Sequence, residues 1–273
     1  MQKNAKKKNA AEPVYKPYLT GRAFSSVAAR RGVRILGLML LFAFVGVIAS
    51  GVFSFNNAVL RLFFNGVVLA FCAGVMYTEG SRQGENDVAF AEIALGRQNE
   101  GKAVAESDKD ICYHRLKGFV TALIGAAPFV LIALLYAFMA VKQQYTLGAL
   151  PSWVSAYETQ DEISQALAYY HESAALTLPD ILRVAVRLFL FPYMNMLGNG
   201  NYDKLYLLDK LSPLLTLIVP LFYGIGYLRG PHLRALVHGN IRLARRKQNR
   251  TQRKAREARA QKMRGKPEQK ELI

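Results

Sequence analysis

Polar and apolar positions along this chain are segregated into long blocks. No charged residue occurs from Ile35 to Leu60, from Gly118 to Val141 or from Leu211 to Leu228. A helix rises about 1.5 Å per residue, so an apolar run of about 20 residues matches the roughly 30 Å hydrocarbon core of a bilayer. A helix on the surface of a soluble domain would carry a polar stripe at the 3.6-residue period, and these runs carry none. They predict an all-α, polytopic membrane bundle with four spans, at about 35–55, 58–78, 118–141 and 211–228.

The polar blocks between the spans have patterns of their own. Ser54-Phe55-Asn56-Asn57 reads as a tight turn between the first two spans. After the second span, Gly80 and Gly84 are expected to interrupt the helix, because glycine is a poor helix former. Asn86 or Asp87 then caps a short helix through Leu95 that ends near Gly96. Ser107 and Asp110 form a capping-box-like pair, starting a helix that carries Ile111, Leu116 and Lys117 into the third span. Residues 79–117 thus make one loop face. Residues 142–210 make the other, an outer amphipathic region where Thr159 and Glu162 cap a helix with Ile163, Ala166, Leu167, Tyr170 and Ala174 on one side.

Pro179 to Leu197 is ambiguous, because apolar residues there surround Arg183 and Arg187. Its apolar side chains favour insertion by about 3–5 kcal/mol, and two central arginines oppose it by about 5–7 kcal/mol. Charge resolves the balance. The net charge of +17 sits at the two ends, in a basic tail over 1–34 and a second over 229–273. Four spans put both tails on one side, which the positive-inside rule assigns to the cytoplasm of a cell (plasma) membrane. The segment 179–197 is therefore expected to be an interfacial or re-entrant helix in the outer leaflet, bent near Pro192. Arg183 and Arg187 form an outer interfacial pair facing the headgroups. Arg61 is expected to snorkel from the second span in the same way. A cleaved leader ending near Val47-Ile48-Ala49 is disfavoured, since the first apolar run is too long for one.

Small residues at four-residue spacing predict close helix packing at Gly66, Ala70 and Gly74 in the second span and at Gly118, Ala122 and Ala126 in the third. The first twenty residues read as a disordered basic tail. The C-terminal tail is helix-friendly from Ile241 to Met263 yet almost devoid of large apolar residues. It is expected to be helical when bound. Its Arg242, Arg245, Arg246, Lys247, Arg250, Arg253 and Lys254 are candidate contacts to anionic lipid at the cytoplasmic face, or to RNA and the ribosome.

Chemistry-bearing motifs are few. Cys72 and Cys112 read as ordinary thiols. Asp108, Asp110, Cys112 and His114 cluster locally, but a capped helix start accounts for them better than a metal site. The histidines, His114, His171, His232 and His238, form no metal-ligand pair, and Gly80-Ser81-Arg82-Gln83-Gly84 lacks the Lys-Ser/Thr of a phosphate loop. No nucleophile and base can be nominated together, so neither an enzyme nor a cofactor is expected. The leading expectation is a non-enzymatic subunit or accessory factor of a membrane complex, with a membrane-protein partner or a second copy of itself. A transporter or permease component coupled through residues 85–97 is the alternative, and a ribosome-associated or insertase-like factor is the third reading.

Overall fold

Each apolar block forms a helix, and polar residues at its ends decide where it starts and stops. The computed structural model describes residues 12–52, 55, 57–142, 153, 157, 177–198 and 202–264. Eight helices occur among the described residues: α1 Ser26–Val52, α2 Ala58–Asn99, α3 Glu106–Ile111, α4 Lys117–Met139, α5 Leu178–Phe189, α6 Phe191–Leu197, α7 Tyr202–Leu228 and α8 Gly230–Arg264. Four of them, α1, α2, α4 and α7, are long and apolar enough to cross a membrane. They run alternately up and down and pack mainly as α4 on α7, α2 on α7 and α1 on α4. The core between them holds Ile35, Met39, Met76, Ala122, Ala126, Phe129 and Tyr223. Outside lies a belt of exposed Phe44, Phe63, Phe71, Leu131, Phe138 and Leu214, as hydrocarbon contact requires. The helical membrane bundle anticipated from the apolar blocks is the fold.

The largest departure from expectation is α2. Asn57 caps it, accepting from the Val59 N–H at 2.9 Å. It then runs unbroken through Gly80, Gly84 and Gly96 for 42 residues, ending where Gly101 adopts φ +77°. Gly80 and Gly84 therefore do not interrupt the helix, and Asp87 does not cap a new one. A Cβ on Gly80 would lie 2.1 Å from the Tyr223 carbonyl oxygen, and one on Gly84 would lie 2.4 Å from that of Tyr227. From α7, a Cβ on Gly226 would approach the Tyr77 carbonyl oxygen to 2.1 Å. These glycines let two parallel backbones touch, a packing use that outweighs their modest helix cost.

Helix α7 starts well before the expected span, at Tyr202. Pro213 cannot donate to the Asp209 carbonyl four residues back, and the Ser212 hydroxyl donates to it instead at 2.7 Å. Helix α3 begins at Glu106 after Ala105, not at Ser107, and it ends at Ile111 before a turn leads into α4.

Helices α5 and α6 form a broken hairpin hinged at Leu190. Thr177 and Asp180 cap α5 reciprocally, the Thr177 hydroxyl donating to Asp180 at 2.6 Å. Pro192 sits in the first turn of α6, where its missing N–H has no helical partner to lose. The tip enters the bundle: Phe189 meets Phe129 of α4 at a centroid distance of 4.1 Å, and Pro192 lies against Gly46 of α1. At about 18 Å, α5 is too short to cross the membrane, and the hairpin geometry is re-entrant.

Its orientation corrects the expected arginine pair. Leu178, Ile181, Val184 and Leu188 are exposed, whereas Arg183 is buried and Arg187 points into the bundle. In hydrocarbon the apolar face turns outward and the charges turn in. Arg61 likewise folds against Gly198 at the end of α6, where a Cβ would lie 2.6 Å from its guanidinium.

Residues 12–24 are not a free tail. They form an extended strap in which the Val14 N–H donates to the Ala235 carbonyl at 2.9 Å and the Gly21 N–H donates to that of Tyr113 at 2.9 Å. Tyr18 packs edge-on against Tyr113, which stacks on Tyr227 at 5.2 Å. The amphipathic helix expected around residues 159–174 lies outside the described residues.

Candidate functional site

Two buried charge clusters hold the bundle at its ends. At the first, the Arg31 guanidinium of α1 donates both terminal nitrogens to Asp87 of α2, at 2.7 and 2.8 Å. Lys117, at the first turn of α4, donates to the same carboxylate at 3.1 Å, and the Tyr227 hydroxyl of α7 donates at 2.6 Å. One carboxylate thus ties four helices together. Lys117 is fully buried, and its ammonium also donates to the carbonyls of Asp110, Ile111 and Cys112, at 2.7, 2.9 and 3.2 Å. Those carbonyls are the unsatisfied C-terminal groups of α3, so one cation closes two deficits. Nearby, Arg34 and Glu79 pair at 3.2 Å where the apolar run of α2 ends.

At the opposite end, Arg187 forks onto Asp209 of α7 at 2.7 and 3.1 Å. The Tyr136 hydroxyl of α4 donates to Asp209 at 2.8 Å and accepts from the Arg183 Nε at 3.0 Å. Asp209, Arg183 and Tyr136 are all buried. The predicted pair Arg183 and Arg187 is therefore the anchor of the re-entrant hairpin to α4 and α7. Charged side chains are thus buried at both ends of the bundle, outside the charge-free runs. Sequence reasoning did not group Asp87, Lys117, Tyr136 and Asp209 with the arginines: Lys117 and Asp209 border an apolar block, Asp87 lies in the expected loop and Tyr136 inside the third span. For Asp209 one signal was available: a carboxylate within a turn of a span, with arginines elsewhere facing the same end.

Beyond the Arg34–Glu79 level, α2 and α8 continue together as a stalk. Arg234 bonds Glu92 at 3.0 Å and pairs with Glu85 at 3.7 Å, while the His238 Nε2 lies 2.8 Å from Glu92. The Tyr15 hydroxyl meets the His232 Nδ1 at 2.9 Å, which fastens the strap to α8. From Asn240 to Ala260, α8 leaves the stalk as an exposed helix, with only Leu243 half-buried. Arg242, Arg245, Arg246, Lys247, Arg250, Arg253 and Lys254 all lie exposed on this arm.

The predicted small-residue stripes divide. Ala122 and Ala126 are buried in the core, and a Cβ on Gly118 would lie 2.5 Å from the Tyr227 Cβ. Gly66 has only the Met196 methyl near it, at 3.6 Å, while Ala70 and Gly74 face outward. On α2 the tight contacts are instead at Gly80 and Gly84, a turn beyond the expected span.

Among the described residues no three His, Cys, Asp or Glu side chains come together as a metal-binding group. Cys72 and Cys112 are both buried thiols. Burial pushes the Cys112 thiol up from its usual range, opposed by the Lys117 charge beside it, and burial also pushes the Tyr113 hydroxyl up to about 12. The thiolate is the reactive form. Cys112 in the folded protein is thus expected to resist iodoacetamide at pH 7.5 and to react fully after denaturation. Fast labelling of the native protein, followed by mass spectrometry of the Cys112 peptide, would contradict this. Since the folded state keeps the thiol neutral, any linked stability is present at neutral pH and is lost as pH rises above roughly 9, the ordinary thiol range.

Comparison with protein-family models, with curated proteins and with solved structures finds no match to this chain.

Proposed function

We propose that this chain is a multi-pass protein of the cell membrane with both basic ends in the cytoplasm. In this reading it serves as a non-enzymatic subunit or accessory factor of a membrane complex. The observation that carries the reading is the stalk, where α2 outruns the membrane and α8 runs beside it. Arg234, His238, Glu85 and Glu92 join the two helices, and the strap crosses both. A span that merely anchors has no need of such a rigid extension, and a docking element does. The charged groups inside the bundle bond mainly to one another, which suits a scaffold holding one shape. The positive charge of both ends supports the cytoplasmic orientation.

Two measurements test this. Single cysteines at Gln165→Cys, Asp203→Cys and Arg250→Cys, in a background lacking Cys72 and Cys112, are labelled in intact cells with a membrane-impermeant maleimide. Labelling is expected at 165 and 203 and not at 250; labelling at 250 would overturn the orientation. Purification from native membranes in mild detergent is then expected to retain a stoichiometric partner or a second copy, held through the stalk and weakened by charge reversal at its exposed residues. A stable monomer with nothing attached would overturn the subunit reading.

A further inference from the structure

We propose that the free arm of α8, from Arg242 to Arg259, binds the phosphate backbone of structured RNA without regard to sequence. The inference rests on the cytoplasmic orientation proposed above and names a ligand for the part of α8 beyond the stalk.

The direction of the arm separates RNA from the protein's own bilayer. Gly230 lies against Gly84, Arg234 reaches Glu85 and Glu92, and His238 reaches Glu92. Between Gly230 and His238, α8 thus advances beside α2 nearly residue for residue, away from the bundle. The charge-free runs of α4 and α7 end level with Asp87, and from Tyr227 to Arg242 the helical chain advances about 22 Å. Headgroups occupy only about 6 Å beyond the hydrocarbon. The arm therefore begins well past them and extends about 30 Å further, several times the roughly 8 Å screening length at physiological salt. Anionic lipid of the same membrane is out of its electrostatic reach.

The surface of the arm matches a polyphosphate. Arg242, Arg246, Arg250 and Arg253 fall on one face at helical spacing, flanked by Arg245, Lys247, Lys254 and Arg256. Ala244, Gln248, Thr251, Ala255 and Ala258 make a narrow uncharged strip bordered by Lys247 and Arg259, and Glu257 lies on the arginine face. Glu257 is the only acid between Asn240 and Arg264. A protein-docking helix needs apolar anchors at i, i+3, i+4 and i+7, and the arm has none after Leu243. Most of the cations are arginine, whose planar fork suits phosphate oxygens. No Phe, Tyr or Trp follows Tyr227, so aromatic stacking of bases is absent and recognition rests on the phosphate backbone.

The full chain in phosphatidylcholine nanodiscs is titrated against a fluorescein-labelled RNA hairpin, read by anisotropy. The parent protein is expected to bind with steep salt dependence. A variant with Arg242→Gln, Arg246→Gln, Arg250→Gln and Arg253→Gln, checked for an unchanged thermal midpoint, is expected to bind at least about a hundredfold more weakly at about 100 mM salt. Its log–log salt slope should be shallower by about three. Equal affinity or an equal slope would overturn the proposal. A third arm replaces phosphatidylcholine with phosphatidylglycerol: unchanged RNA binding supports the geometry argued above, and loss of binding would assign the arm to the bilayer. The orientation is read separately by labelling at position 250, so failure here leaves that reading standing and the two failures are distinguishable.

Discussion

Replacing Asp87 by asparagine is expected to destabilise the protein by about 3–5 kcal/mol, as losing one member of a buried charge cluster does. The substitution keeps the size of the side chain and removes its charge. Arg31 is partly solvated and can turn toward water, with 18 % of its side chain exposed, but Lys117 has none exposed. Its ammonium would keep three carbonyl acceptors and lose the carboxylate that neutralises it. In nanodiscs the midpoint of thermal unfolding should fall by about 10 °C. Adding Lys117→Met to the Asp87→Asn variant should recover part of the loss, because it removes the stranded charge. An Asp87→Asn protein that melts with the parent would show that the cluster contributes little.

The second large effect concerns the glycine contact between α2 and α7. Gly80→Ala is expected to cost about 2–3 kcal/mol, at the upper end of overpacking penalties, because the obstacle is backbone and cannot rotate away. The new methyl would start 2.1 Å from the Tyr223 carbonyl oxygen, so the two helices must separate by more than 1 Å. Separation would also stretch the 2.6 Å bond from Tyr227 to Asp87 one turn further along. Gly80→Ala and Asp87→Asn should therefore combine non-additively. Gly74→Ala is the control, since a Cβ there meets nothing within 4 Å. It should be neutral or stabilising by up to about 1 kcal/mol. Equal behaviour of the two alanine variants, compared by thermal midpoint, would contradict the packing described for Gly80.

The difference between Gly74 and Gly80 shows where reading the chain alone stops. Both glycines follow the same spacing rule, and Gly74 lies within the apolar block while Gly80 lies just past it. Spacing identifies a helical face and says nothing of what that face meets. The tight contact falls at Gly80 because α7 approaches there, and α7 is more than a hundred residues away along the chain. Arg183 and Arg187 teach the same lesson in terms of charge. Their four-residue spacing correctly placed them on one face of α5. Which way that face turns depended on Asp209, just outside the fourth expected span, and on Tyr136, inside the third, and a local reading links neither to α5.

Four membrane helices, the basic ends and the bend near Pro192 could be read from the chain without its fold. They follow from quantities that are local and additive: the length of an apolar run against the thickness of a bilayer, the sum of charges near a span, and the turn chemistry of proline. The unbroken course of α2, the inward turn of the α5 arginines, the strap and the joining of four helices on Asp87 were decided only by the tertiary structure. A buried charge is tolerable only beside its partner. For Asp87 the partners Arg31, Lys117 and Tyr227 are brought together by packing across the whole chain.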